Sequence, residues 1–144
     1  KKNKADSKTL FIDASGECVK VTNNNKLTPE NIDRIVDTFP AGQQGQVRVQ
    51  LSMVLHTVVS QQLLPGVDGG RVPAYEIMHM NSAIRSLIRE SKTHQIEDAI
   101  ARGGDEGMLS MDQSILDLYK KGLITDKVAL EYADNPEQLR RRMG

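Results

Sequence analysis

The sequence has no tryptophan, only 2 phenylalanines and only 3 tyrosines. Stacking of nucleic-acid bases on aromatic rings therefore has little to work with. An excess of positive charge is missing too: Lys+Arg and Asp+Glu both number 19, and the formal net charge is zero. Strong nucleic-acid binders draw affinity from neutralising phosphates, so a balanced chain argues against that class. Cysteine occurs once, at Cys18, which excludes an internal disulfide framework and suits a reducing, cytoplasmic setting. No Cys-His signature surrounds Cys18, and a plain strand or loop residue is the expectation there. No apolar run approaches the about 18 residues of a membrane span. The basic start is followed only by the short apolar stretch Leu10–Ile12, too little for a signal peptide.

What is present is ordinary for a folded chain: 144 residues, 38% hydrophobic and 26% charged. At about 150 residues a chain buries roughly two-thirds of its surface, so one domain with a real core is expected. With few aromatics that core must be aliphatic, built from Leu, Ile, Val and the 6 methionines. Two local charge runs stand out, Lys1, Lys2 and Lys4 at the start and Arg140, Arg141 and Arg142 at the end. Solvated termini explain both without a ligand.

Along the chain, Thr9–Ala14 is a short apolar run that reads as a buried strand, and Ser15-Gly16 as a turn. Cys18–Thr22 alternates Val19 and Val21 with Lys20, the pattern of a second strand; Asn23-Asn24-Asn25 reads as a loop. Thr28-Pro29-Glu30 starts a helix, with threonine as cap, proline at the first helical position and glutamate at the positive helix end. A second helix is expected over Gln43–His56, with Val47, Leu51, Val54 and Leu55 facing inward. The β-branched stretch Thr57–Leu64 and the run Arg71–Met78 read as strands joined through Pro65-Gly66 and Asp68-Gly69-Gly70, and Pro73 places the second strand at an edge or a bulge. Beyond Met78 the chain is helical: Ser82 caps Ala83–Glu90, Gln95–Arg102 stops at Gly103-Gly104, Ser110 caps Met111–Lys121, Thr125 caps Asp126–Ala133, and Asn135-Pro136 opens Pro136–Arg142. The fold class expected is α+β, with a few strands, an N-terminal helix pair and a helical C-terminal bundle.

Chemistry-bearing patterns are scarce. A phosphate loop needs a glycine-rich turn followed by Lys and Ser/Thr, and no Gly-Lys-Ser/Thr occurs. Gly66, Gly69 and Gly70 fall in the hairpin turn, while Gly103, Gly104 and Gly107 enclose Asp105 and Glu106, which would repel phosphate. His56, His79 and His94 lie far apart in sequence, with no HExxH or cysteine pair beside them, so no metal ligand set is expected. No GxSxG elbow and no dinucleotide fingerprint occur. The unusual stretch is Ala83-Ile84-Arg85-Ser86-Leu87-Ile88-Arg89-Glu90. Helical spacing puts Arg85 and Arg89 on one face and Ile84, Leu87 and Ile88 on the opposite, buried one. Two exposed arginines on a rigid helix suit carboxylate or phosphate recognition across an interface. A solvated face with local ion pairs to Glu90 is the plainer alternative, and spacing alone favours it.

Several words of the sequence, in order and at consistent spacing, resemble the C-terminal region of the type IV pilus retraction (twitching motility) ATPases: DRIVDTFP at 33–40, QVRVQLSMVL at 46–55, VVSQQLLP at 58–65, AIRSLIRE at 83–90, KTHQI at 92–96, MDQSILDLYKKG at 111–122 and DNPEQLRRRM at 134–143. The resemblance implies part of a RecA-like sheet and a cytoplasmic, hexameric motor that acts at the inner face of the membrane. It also ties the motif Ala83, Ile84, Arg85, Leu87, Ile88, Arg89 and Glu90 to retraction rather than to hydrolysis, with Ser86 where the family has asparagine. The family's phosphate loop, acidic boxes and histidine box precede the DRIVDTFP-like segment, and the residues before 33 here carry none of them. His56 falls in the wrong segment to serve that box. The resemblance thus implies ATP and magnesium for the intact family, but no cofactor and no independent activity for this chain. The partners it implies are further copies of the chain, intact motor subunits or pilus-base inner-membrane proteins; DNA is not expected.

Residues 1–39 resemble something else. LFIDAS at 10–15 and NKLTPENIDRIVDTF at 25–39 are similar to a segment of the adenine-N6 DNA methyltransferase subunit of type I restriction–modification systems, without that family's NPPF-type or methyl-donor motifs. The organisation expected is therefore a methyltransferase-like strand–helix segment over residues 1–39 joined to a retraction-ATPase-like region over 40–144. Three readings follow: a motor piece working through subunit interfaces, a DNA-modification piece, or a non-functional fusion whose strands lack partners.

Overall fold

The computed structural model describes residues 19–21, 24–26 and 29–144. The expected strand Thr9–Ala14, the Ser15-Gly16 turn, Cys18 and the Thr28 cap lie outside the described residues. The elements run β1 (Val19–Val21), β2 (Asn24–Lys26), α1 (Pro29–Asp37), α2 (Ala41–Val54), β3 (Thr57–Pro65), β4 (Arg71–His79), α3 (Ser82–Arg89), α4 (Ile96–Arg102), α5 (Met111–Lys120), α6 (Asp126–Tyr132) and α7 (Pro136–Met143), with 3₁₀ turns at Thr93–Gln95 and Gly104–Glu106. The class is α+β, as the pattern of elements implies.

Among the described residues two antiparallel pairs form, β1 with β2 and β3 with β4. The asparagine stretch expected as loop is part of a strand: Asn24 and Asn25 face Val21 and Lys20. Ladder bonds are made by the backbone, and a paired partner overrides the low β-propensity of asparagine. The β3–β4 hairpin keeps an unbroken register from Thr57↔His79 to Pro65↔Arg71. Its turn is set by Gly69 at φ +81° and by Asp68 Oδ1, which accepts from the Gly70 amide at 2.9 Å. The amides of Tyr75 and Ile77 point away from β3, donating to Ser114 Oγ at 3.0 Å and to the Leu109 carbonyl at 2.8 Å. By the two-residue period of a strand, the Pro73 nitrogen points the same way. Proline is therefore tolerated without a bulge, because no ladder hydrogen bond is lost.

The inner face of the hairpin feeds two cores. Leu64 and Ala74 pack with Met111, Ile115 and Leu116 of α5, Ala129 and Tyr132 of α6, and Leu139 of α7. Met78 and Met80 pack with Ile32 of α1, Ile84 and Ile88 of α3, and Ile96 and Ile100 of α4. As expected from composition, these cores are aliphatic and rich in methionine. Helix starts in this half follow the residue chemistry: Ser110 Oγ accepts from Gln113 N at 3.3 Å, Thr125 Oγ1 from Val128 N at 3.3 Å and Asn135 Oδ1 from Gln138 N at 3.0 Å. Gly103 leaves room for buried Met108: a Cβ there would stand 2.6 Å from its sulfur, so a larger residue would displace that side chain.

Helix α2 departs from its expected course. It runs from Ala41 to Val54 rather than from Gln43 to His56, with Pro40 just before it and Leu55 already extended at ψ 136°. Val54, expected inward, is 65% exposed, and Ser52 is buried in its place. The Ser52 hydroxyl donates to the Val49 carbonyl one turn back at 2.7 Å, and its own carbonyl accepts from Arg85 of α3. Helix α1 is joined to the rest by Asp33, whose Oδ1 accepts from Arg48 Nη1 of α2 at 2.6 Å and whose Oδ2 accepts from the hydroxyl of Thr93.

Polar groups also sit on the hairpin's inner face. Glu76 is buried, and its Oε2 lies 3.4 Å from the Met111 amide at the start of α5. Gln62 is 1% exposed, and neither its amide nitrogen nor its oxygen has a hydrogen-bond partner. An unsatisfied buried polar group costs about 1–3 kcal/mol. Replacing Gln62 with methionine, of similar volume, is therefore expected to raise stability by about 1–3 kcal/mol in urea denaturation. Unchanged or lower stability would show that the amide is satisfied in solution.

Candidate functional site

The site residues expected from sequence all lie on or beside α3. The helix starts one residue earlier than expected: Asn81, not Ser82, is the cap, and its Oδ1 accepts from Ile84 N at 2.9 Å. Asparagine ranks with serine as an N-cap, so the residue pair alone could have been read either way. Asn81 Nδ2 also donates to Glu106 Oε2 at 2.8 Å, tying the helix start to the Gly104–Glu106 turn. Ile84 and Ile88 are fully buried and Leu87 is packed against the same core, as the helical spacing requires. Ala83, Arg89 and Glu90 are exposed.

The two arginines part company. Arg85 was expected exposed beside Arg89, but it is half-buried and its guanidinium is spent inside the molecule. Its Nε donates to the Met80 carbonyl at 3.1 Å, and its Nη1 donates to the carbonyls of Ser52 and, at 3.4 Å, of Met53. The last two belong to the final turn of α2, where carbonyls lack partners within the helix and a cation is favoured. A residue 33 positions from its acceptor leaves no local trace in the sequence. Arg89 faces outward.

The end of α3 is a tight reversal. The Lys92 amide donates to the Leu87 carbonyl at 2.8 Å and the Ser91 amide to that of Ile88 at 3.3 Å, with Ser91 at φ 58° where glycine is usual. The reversal brings Lys92 back to Glu90, so the ion pair expected from an arginine is made by lysine instead: Nζ to Oε2 is 2.8 Å. Ser86 Oγ donates to the other carboxylate oxygen at 2.6 Å. These contacts, Lys92 first and Ser86 second, hold the Glu90 carboxyl below the ordinary 4.5.

The remaining candidates do not converge on α3. His56 and His94 are exposed, and His79 Nδ1 lies 3.0 Å from Thr57 Oγ1. Among the described residues no group of three or more His, Cys, Asp or Glu side chains could hold a metal ion. Arg140 and Arg141 line a surface hollow with Pro136 and Glu137, while Arg142 donates to the side-chain oxygen of Gln113. Among the described residues no helix is long and apolar enough to cross a membrane.

The lowered pKa of Glu90 links its contacts to stability with a definite sign. A carboxyl whose folded pKa is depressed adds stability above its ordinary pKa, and loses it as pH falls through the lowered value. Glu90→Gln is expected to lower the thermal midpoint slightly near neutral pH, with the difference vanishing in strong acid. The effect is small because the group is fully exposed. A pH-independent difference would assign it to packing instead.

The chain is 43% identical over 126 residues to a twitching motility protein of Neisseria gonorrhoeae, covering 87% of this chain and 34% of that one. It is 44% identical over 123 residues to the type IV pilus retraction ATPase PilT of Pseudomonas aeruginosa, covering 85% of this chain and 36% of the relative. The chain thus spans about a third of the length of these relatives. Among solved structures, the pilus retraction motor PilT with bound ADP matches with a TM-score of 0.68 at 45% identity, over 79% of this chain and 32% of that one. The Legionella pneumophila ATPase DotB matches in fold alone, with a TM-score of 0.58 at 18% identity, over 73% of this chain and 28% of that one. The family of N-6 DNA Methylase matches residues 1–58, running past the expected segment into α2 and the start of β3. Over most of its length, then, the chain resembles the C-terminal region of the type IV pilus retraction ATPases, and its beginning resembles an adenine-N6 DNA methylase.

Proposed function

We propose that this chain is a piece of a type IV pilus retraction motor that works through contacts with motor subunits and does not turn over ATP by itself. The observation that carries the reading is identity of 43–44% along more than four-fifths of the chain to proteins named for twitching motility and pilus retraction. The exposed end of α3, with Arg89 and Glu90 set on a helix anchored by Ile84, Ile88 and Arg85, is the contact surface in this reading. Its partners are copies of this chain, intact motor subunits in a hexameric ring, or proteins of the pilus base at the inner membrane, and its compartment is the cytoplasm. Phosphoryl transfer needs groups that cradle the β- and γ-phosphates and hold magnesium. No Gly-Lys-Ser/Thr is present in the sequence to provide them. In the same reading residues 1–39 are a methyltransferase-like addition and 40–144 the motor-like part.

Mixing the labelled chain with an intact retraction ATPase tests this. Association is expected for the wild-type chain and for Ala83→Ser, and a loss of tenfold or more for Arg89→Glu, since reversing a charge places like charges across the contact. Failure of the wild-type chain to associate, or equal binding by Arg89→Glu, would contradict the reading.

A second reading, a DNA-modification piece, has one observation in its favour, the N-6 DNA Methylase match over residues 1–58. Zero net charge counts against it. Binding to duplex DNA at low salt would support it, since phosphate attraction is strongest there; its absence would remove it.

A further inference from the structure

Helix α2 lacks nearly every local feature that holds a helix together. Pro40 at its start makes no side-chain cap, its first turn has no acidic residue and its last turn no basic one. It carries Gly42 and Gly45, and at neither would a Cβ meet any atom within 4 Å, so packing does not call for glycine there. Glycine in a helix interior is unfavourable relative to alanine. Its one charged side chain, Arg48, is turned to Asp33 of α1. What α2 lacks at its C-terminal end is supplied from α3: the Arg85 guanidinium reaches the carbonyls of Ser52 and Met53 while its Nε is fixed by Met80. The Leu55 amide closes the turn on Leu51 at 3.1 Å, and beyond the helix the Met80 amide donates to the His56 carbonyl at 2.9 Å.

We propose that Arg85 is a conditional cap: the last turn of α2 is helical because α3 is docked, and a displacement of α3 frays it. The two helices then form a coupled joint, in which Arg85 positions α2 and Arg89 is left to face outward. Nothing in this depends on the chain's place in a motor. The coupling gives the joint a way to carry a pull on α3 into α2 and the strand β3 that follows it.

Hydrogen exchange of the full chain, read amide by amide, tests the proposal. Arg85→Ala is expected to speed exchange at least tenfold at Leu55 and the last turn of α2, leaving α5 unchanged. Arg85→Lys should recover only part of the protection, because an ammonium keeps the charge but cannot span the acceptors as a planar fork does. Adding Gly42→Ala and Gly45→Ala to Arg85→Ala should restore protection in α2 by raising its own helix preference. Arg89→Ala should leave α2 as in the wild type. Equal protection in wild type and Arg85→Ala, an equal rise at every amide, or no recovery from the alanine pair would each overturn the proposal. Should Arg85→Ala fail to fold, the alanine pair in the wild-type chain must slow exchange in α2 selectively, and no slowing there would contradict it.

Discussion

The nine-residue register between β3 and β4 is the constraint on which the rest of the structure depends. One face of this hairpin supplies Leu64 and Ala74 to the core of α5, α6 and α7, and Met78 to the core of α1, α3 and α4. A slip of one residue would turn all of these outward together. The register is held from outside as well: Tyr75 and Ile77 are pinned by Ser114 and Leu109, and the Val67 amide beyond β3 donates to the Leu123 carbonyl at 3.0 Å. The two cores are thereby joined through one shared surface.

Much of this was legible in the residues. Both strands of the hairpin, its glycine turn and the proline at its edge follow from local rules, and so do the caps of α5, α6 and α7. These features depend on neighbours a few positions away, where sequence pattern and structure speak the same language. The readings that failed depend on distant partners. Asn24 and Asn25 pair with β1 despite their turn chemistry. Val54 gives way to Ser52 inside α2, where the Ser52 carbonyl accepts from Arg85 of α3. Asp33, for which no partner was read from the sequence, meets Arg48 and Thr93 from two other elements.

The α3 site shows the same division within a single motif. Its apolar residues were readable from helical spacing, because burial follows the 3.6-residue period. Its charged residues were not, because spacing says which side chains share a face but not what lies opposite. Arg85 meets the carbonyl end of α2, and Glu90 meets Lys92 through a reversal at Ser91. A motif read as two equivalent arginines is therefore one inward anchor and one outward charge.

The proposed function joins a resemblance to pilus retraction ATPases with a sequence in which no Gly-Lys-Ser/Thr occurs. Thermal unfolding of the purified chain, with and without Mg-ATP, tests that most directly, because a ligand that binds only the folded state must raise the midpoint. The account predicts one sharp transition at the same temperature in both. A clear rise with Mg-ATP would mean that the chain holds a nucleotide by other residues, and would contradict it.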